Sequence, residues 1–220
     1  MSRSFRQVAI AAAVIVTAAA LHLAIPPAAT ARRWTLITAY VGLGLLATTL
    51  LIGPLYVFRG RRPPVSIGWR RDLGIWGGLV SLAHVVVGFR VHFRGQILRY
   101  FLYGPERGDG FPVRLDGVGW ANHTGLLASL VLVLLVALSN DLALRRLGAA
   151  RWKFLQRWNY AAFSLVGLHG AMYQVMVRRA LPAVVLLGVT VAVTVGVQLA
   201  GVRARRRASR AGRAGDPVPS

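Results

Sequence analysis

The hydrophobic positions of this chain are gathered into six long apolar runs, with no strand-like alternation of polar and apolar residues. Each run is close to the roughly 20 residues that a helix needs to cross the hydrocarbon core of a bilayer. Because every backbone polar group must find a partner inside lipid, uncharged runs of this length predict membrane helices. The six predicted helices cover approximately residues 8–25, 34–58, 73–89, 118–138, 158–177 and 181–202.

The expected fold class is therefore all-α, an integral membrane bundle of about six transmembrane helices. This bundle forms one domain over residues 1–203, and the basic tail over 204–220 is predicted to be disordered because Arg, Ala, Gly and Ser dominate it. The first run has an alternative interpretation. Its basic start and the Ala29-Thr30-Ala31 that follows it are also typical of a cleaved signal peptide, whose removal would leave five helices in the same topology.

The composition supports lipid rather than nucleic acid as the partner. Only 15% of the 220 residues are charged, against about 25% in soluble domains. The net charge is +21, from 27 Lys and Arg against 6 Asp and Glu. These basic residues cluster between the apolar runs, which is typical of membrane topology signals and not of a nucleic-acid surface.

The basic clusters also predict an orientation. If the N-terminus is cytoplasmic, 18 of the 27 basic residues lie in the inner segments and 9 in the outer ones. The positive-inside rule therefore predicts a multi-pass protein of the inner (cytoplasmic) membrane with both termini in the cytoplasm.

Several kinds of chemistry are excluded by residues that the chain lacks. It has no cysteine, so disulfides, iron–sulfur clusters and covalent haem attachment are impossible. No glycine-rich nucleotide motif occurs, and the longest predicted external loop has only about 28 residues. The chain therefore has no flavin or NAD domain, and any redox cofactor must be held by His, Met or non-covalent contacts.

Two histidines lie at the same predicted depth in the membrane. His84 is 13 residues beyond Arg71, and His169 is 12 residues beyond Arg157. At a rise of about 1.5 Å per residue, both are roughly 18–20 Å above the inner boundary, on helices that run in the same direction. Two imidazoles in this arrangement suit the axial positions of a haem iron, and a bis-histidine iron suits electron transfer. For either histidine alone, a buried, hydrogen-bonded imidazole is an equally good interpretation.

The other histidines lie near the predicted outer ends of helices. Contacts with headgroups, water or loop backbone are the simpler interpretation for His22, His92 and His123. His123 is the best candidate among them for contact with a haem propionate or a quinone, because it begins a helix that must pack near the site.

Outer basic residues and small residues are further candidates. Arg90, Arg94 and Arg178 are predicted to neutralise propionates, with solvated snorkelling as the alternative. Five small residues share the helix face of His84, and they serve either close helix packing or space for a porphyrin. They are Gly74, Gly77, Gly78, Ser81 and Gly88.

Three segments resemble the ferric reductase-like transmembrane family, and most closely the MsrQ/YedZ membrane haem-binding subunits. They are residues 45–55 (LLATTLLIGPL), residues 70–76 (RRDLGIW) followed by His84, and Arg146-Leu147-Gly148 followed by Trp152, Leu155, Gln156, Tyr160 and His169. The resemblance covers residues 34–174. It implies haem b bound by His84 and His169, and electron transfer to an external redox protein such as a molybdopterin oxidoreductase that reduces methionine sulfoxide.

One position departs from the family pattern. MsrQ-type members have a second histidine 13 residues before the one at position 169, and Gln156 stands there in this chain. That position is roughly 20 Å towards the cytoplasm, where an inner haem would be bound. We therefore expect a single haem in the outer half of the membrane. The resulting gap favours a quinol dissolved in the bilayer over a cytosolic flavoprotein as the electron donor.

The sequence thus predicts a membrane b-type cytochrome, an electron-transfer component of an oxidoreductase system rather than a complete enzyme. The alternative is a haem-free membrane scaffold or small transporter with the same helical bundle. A proton or ion channel fits less well, because the predicted spans lack the carboxylates of a proton relay.

Overall fold

The structure, a computed structural model, describes residues 2–25, 30–61, 68–91, 93–104 and 112–214; the side chains of residues 94 and 209–214 are not described. The all-α prediction is confirmed. Over these ranges there is no strand, only an isolated bridge between Leu102 and Val113. The helices are α1 (Arg3–Ala24), α2 (Thr30–Phe58), α3 (Gly68–Gly88), α4 (Gly117–Leu138), α5 (Asp141–Gln156), α6 (Trp158–Val177) and α7 (Leu181–Ala214).

Four of these helices are long and apolar enough to cross a membrane. They are α1, α2, α4 and the part of α7 over Leu181–Ala208. The other two predicted spans, α3 and α6, form helices within a few residues of the expected positions but are not among these four. In α3 the polar residues include Arg70, Arg71 and Asp72 near its start.

Helix α5 was not predicted from the sequence. It is short and basic, and its Asn140 side chain caps the first turn by accepting a hydrogen bond from the backbone N–H of Ala143. Gly148 interrupts it with φ 73°, a left-handed conformation that favours glycine. Beyond this bend Trp152 is buried and donates its Nε1–H to the carbonyl of Leu138, at 2.9 Å. The burial of Trp152 thus holds α5 in place, whereas its charge pattern alone predicts a cytoplasmic loop.

Helix α7 extends further than the apolar run that predicts it. It continues to Ala214 and so overlaps the tail that we expected to be disordered from residue 204. The physical reason is that Arg and Ala have high helix propensity, and a helix that already exists is easy to extend.

The core of the bundle is centred on α2, which packs most extensively against α3, while α4 packs against α6. Large apolar side chains from several helices meet there. They include Leu43, Leu46, Leu50, Leu132 and Phe163.

Pro54 in α2 leaves one backbone carbonyl in this core without its helical hydrogen-bond donor. Pro54 has no N–H, so the carbonyl of Leu50, four residues earlier, loses its helical partner. The side-chain amide of Gln198 on α7 donates a hydrogen bond to that carbonyl. Gly201 allows α7 to approach closely, because a Cβ there would lie 2.9 Å from the Pro54 Cβ. Gln198 therefore supplies the hydrogen bond that the Leu50 carbonyl lacks, and it links α7 to α2.

We expect Gln198→Leu to lower the free energy of unfolding by about 1–3 kcal/mol, because the Leu50 carbonyl would be left without a partner. Thermal unfolding of the purified protein in detergent measures this. Tyr160→Phe is a matched control, since it removes only a hydroxyl that donates to Gln198 Oε1 at 3.4 Å. An equal loss in both variants would contradict the role given to the Leu50 carbonyl.

The start of α1 is tied to α3 by polar contacts. Arg6 Nε donates to the Oδ2 of Asp72 at 2.7 Å, and Asp72 is fully buried. One turn further along α3, Trp76 Nε1–H donates to Gln7 Oε1, also at 2.7 Å. Removal of α1 would leave the Asp72 carboxylate without its cation, which favours a retained helix over a cleaved signal peptide.

Candidate cofactor site

The structure brings His84 and His169 together. His84 lies on α3 and His169 on α6, and their ring centres are 6.2 Å apart with the ring planes at 81°. The expected approach of the two imidazoles, predicted from their matched depths, is therefore confirmed. Both rings line one cavity, enclosed mainly by α2, α3, α4 and α6.

This separation matches the requirement of a single metal held between the rings. Imidazole nitrogens bond transition metals at about 2 Å, and each nitrogen lies about 1 Å from the centre of its ring, so two rings on opposite sides of a metal have centres roughly 6 Å apart. The described residues contain no group of three or more His, Cys, Asp or Glu that could bind a metal without a further ligand. A haem needs only two protein ligands, because the porphyrin supplies the other four.

Backbone carbonyls fix the same tautomer on both rings. His84 Nδ1 lies 2.9 Å from the carbonyl oxygen of Thr35, and His169 Nδ1 lies 2.7 Å from that of Ala121. Because a carbonyl oxygen only accepts hydrogen bonds, each Nδ1 carries a proton, and in the neutral ring Nε2 then keeps its lone pair. Within the described ranges neither Nε2 has a hydrogen-bond partner. A hydrogen bond from the distal ring nitrogen to backbone is the usual way in which proteins orient metal-binding histidines.

The cavity is mainly apolar with a charged margin. The space open to the centres of water-sized spheres is about 200 Å³, and its walls include Leu43, Leu132 and Val166. The charged side chains in its described lining are Arg32, in the first turn of α2, and Arg179, between α6 and α7. Burial lowers the pKa of Arg179 below its ordinary value, and the Arg32 cation acts in the same direction. Two neighbouring cations at the margin of an apolar cavity suit a ligand with carboxylates.

Arg90 and His123, predicted from the sequence as cofactor-binding residues, are not part of this cavity lining. Arg90 is exposed in the turn that follows α3. His123 Nε2 donates to the carbonyl of Arg114 at 3.1 Å, and its ring packs 5.7 Å from that of Phe101. The simpler interpretation, contact with loop backbone, thus fits His123.

His22 and Arg178 do not belong to the described cavity lining either. His22 Nε2 lies 3.3 Å from an Arg33 nitrogen. Arg178 takes a left-handed conformation and ends α6. His92 and the side chain of Arg94 lie outside the described residues.

Some of the small residues on the face of His84 serve close helix packing, and others line the cavity. A Cβ at Gly77 would lie 3.2 Å from Leu45 Cβ, and one at Gly78 would overlap Val136, so these two serve helix packing. Gly74 also faces α2, whereas Ser81 and Gly88 line the cavity.

Sequence reasoning missed the residues that support the rings from α4. A Cβ at Gly125 would lie 2.6 Å from His169 Nδ1, so only glycine allows this ring to reach the Ala121 carbonyl. Beside it, Tyr173 donates to Asn122 Oδ1 at 2.6 Å, and Asn122 donates to the Tyr100 carbonyl at 3.0 Å. The spacing of Ala121 and Gly125 by one helical turn was the available signal, but it has no meaning until the position of His169 is known.

Comparison of the chain with models of known protein families finds no match, and comparison with curated proteins finds none either. The chemistry of the site therefore has to follow from its own geometry. Two neutral imidazoles with free Nε2 lone pairs, an apolar cavity and two marginal cations together suit a flat, apolar, metal-containing ligand with acidic substituents.

Proposed function

We propose that this chain is a membrane b-type cytochrome in which His84 and His169 are the axial ligands of one haem b. The observation that carries the proposal is the pairing of the two rings, 6.2 Å apart, with both Nδ1 atoms held by backbone carbonyls. A bound haem supplies reversible one-electron oxidation and reduction at its iron. With both axial positions taken by protein, the site suits electron transfer rather than oxygen chemistry.

The other residues of the cavity would hold and shield the cofactor. Arg32 and Arg179 are the cations in a position to pair with the propionates, a role for which the sequence had suggested Arg90, Arg94 and Arg178. Apolar walls such as Leu43 and Val166 exclude water and lower the local polarity, which tunes the reduction potential. No side chain here makes or breaks a substrate bond, so the chain is an electron-transfer component of an oxidoreductase system.

We further propose a six-span topology with both termini in the cytoplasm of the inner (cytoplasmic) membrane. The distribution of 18 inner and 9 outer basic residues supports it. In this orientation α3 and α6 run outwards, and the paired histidines are nearer the outer face. The acceptor is then an external redox protein, for which the motif resemblance suggests a molybdopterin oxidoreductase.

The donor that fits best is a quinol in the bilayer. Gln156 lies 13 residues before His169 on the chain, roughly 20 Å nearer the cytoplasm, and no histidine accompanies it there. A cytosolic flavoprotein would have to pass electrons across that distance without a relay, whereas a quinol can approach from the lipid.

A pyridine haemochrome titration of the purified protein tests the proposal. We expect one haem b per chain and a Soret band whose position shifts on reduction. Two haems per chain would contradict the single outer site. A colourless protein, even after haem supplementation during expression, would contradict the cytochrome and favour a scaffold or small transporter.

A further inference from the structure

A second cavity lies on the inner side of the core, bounded by α2, α3, α4, α5, α6 and α7. Its water-sized space is about 210 Å³, and Leu132 lines both this cavity and the one between the histidines. Five cationic side chains contribute to the described lining, which contains no acidic residue. They are Arg70, Arg71, Lys153, Arg157 and Arg205.

Buried amide groups face the same space without partners. Gln156 Nε2 is buried and has no hydrogen-bond partner among the described residues. Asn159, one turn later at the start of α6, is only 7% exposed, lines the cavity, and its side chain makes no hydrogen bond within the described ranges. Buried polar groups without partners cost free energy, so these amides indicate a ligand that supplies acceptors.

The lining also has an apolar part, which consists of Leu46, Leu135, Val136 and the shared Leu132. A cavity lined by cations, amide donors and branched apolar side chains suits an amphiphile with an anionic head. Phosphate fits this head best, because its several oxygens can accept from guanidinium, ammonium and amide donors together.

We propose that this inner cavity binds the phosphate group of an anionic phospholipid, through Lys153, Arg157 and the buried amides of Gln156 and Asn159. A quinol is neutral and would supply no negative charge to the cations of this lining. A second haem has no iron ligand here, since the described lining contains neither histidine nor methionine. The proposal goes beyond the cytochrome function and does not rest on it.

The test measures the melting temperature of the full-length protein in detergent during titration with phosphatidylglycerol, phosphatidylcholine or inorganic phosphate. The cavity variant Lys153→Gln/Arg157→Gln is compared with Arg146→Gln/Arg151→Gln. The second variant removes the same charge at exposed α5 positions outside the described cavity lining. We expect phosphatidylglycerol to stabilise the native protein and the control, and the cavity variant to bind it roughly tenfold more weakly or worse.

Gln156→Leu tests the buried amide at unchanged charge. It should weaken the response to phosphatidylglycerol several-fold while leaving the Soret band intact, a combination that nonspecific surface electrostatics would not produce. Equal stabilisation by phosphatidylcholine, or an equal loss in the α5 control, would overturn the proposal. Stabilisation by inorganic phosphate alone would overturn the lipid as the source and leave a free-phosphate site. Loss of haem would bear on the cytochrome function only.

Discussion

The single variants His84→Ala and His169→Ala should each lack the Soret band of the purified protein. The chain has no cysteine, so a haem can be held only by the two iron bonds and by non-covalent contacts. Loss of a hydrogen-bonding partner behind a metal ligand typically costs roughly 10–100-fold in metal affinity, and loss of the ligand itself should cost at least as much. The measurement is the ratio of Soret absorbance to protein absorbance for each variant.

Two controls separate axial ligation from general damage. His123→Ala removes a histidine that contacts the Arg114 carbonyl outside the cavity, and Gln156→Ala changes the position at which the MsrQ-type sequence pattern has a second histidine. Both should keep the full Soret band. A normal band in His84→Ala or His169→Ala, with helical content unchanged by circular dichroism, would refute the assignment of that residue.

A large part of the fold could be predicted from the sequence because lipid leaves few choices for the backbone. Each of the six predicted apolar runs is a helix, and apart from the longer C-terminal end of α7 the helix ends lie within a few residues of the predicted ones. Helix α5 could not be predicted in this way, because it is short and charged and is fixed by the burial of Trp152. The helical start of the basic tail was missed for a related reason, since composition does not show that α7 is already formed when the tail begins.

Only the part of the candidate site that follows from helix geometry, the two paired histidines, could be predicted from the sequence. Similar distances from Arg71 and Arg157 were enough to place His84 and His169 at one level, and the two rings lie side by side there. The arginines were not predictable, because a cation several residues from a helix end can point in any direction. Thus Arg32 and Arg179 reach the cavity while Arg90 remains in solvent. Residues on other helices that contact the rings, such as Gly125, can be identified only once the packing of the helices is known.

Replacing Asp72 or Arg6 singly with an apolar residue should lower the free energy of unfolding by about 3–5 kcal/mol, because each change breaks the ion pair of the fully buried Asp72 carboxylate and removes only one of its two charges. The carboxylate of Asp72 is fully buried, its Oδ1 has no partner among the described residues, and its Oδ2 is 2.7 Å from Arg6 Nε. Chemical or thermal unfolding in detergent, followed by circular dichroism, measures the loss.

The double variant Arg6→Leu/Asp72→Leu tests whether the loss of stability in the single variants comes from an unpaired charge. Removing both charges should recover most of the stability, since apolar substitutes for a buried ion pair are often neutral or stabilising. Asp141→Asn is the exposed control: the hydrogen bond from Arg71 lowers the pKa of this carboxyl below its usual value, yet an exposed pair contributes little to stability. If either single variant at Arg6 or Asp72 were as stable as Asp141→Asn, α1 would not be an integral part of the bundle, and the signal-peptide interpretation would regain its force.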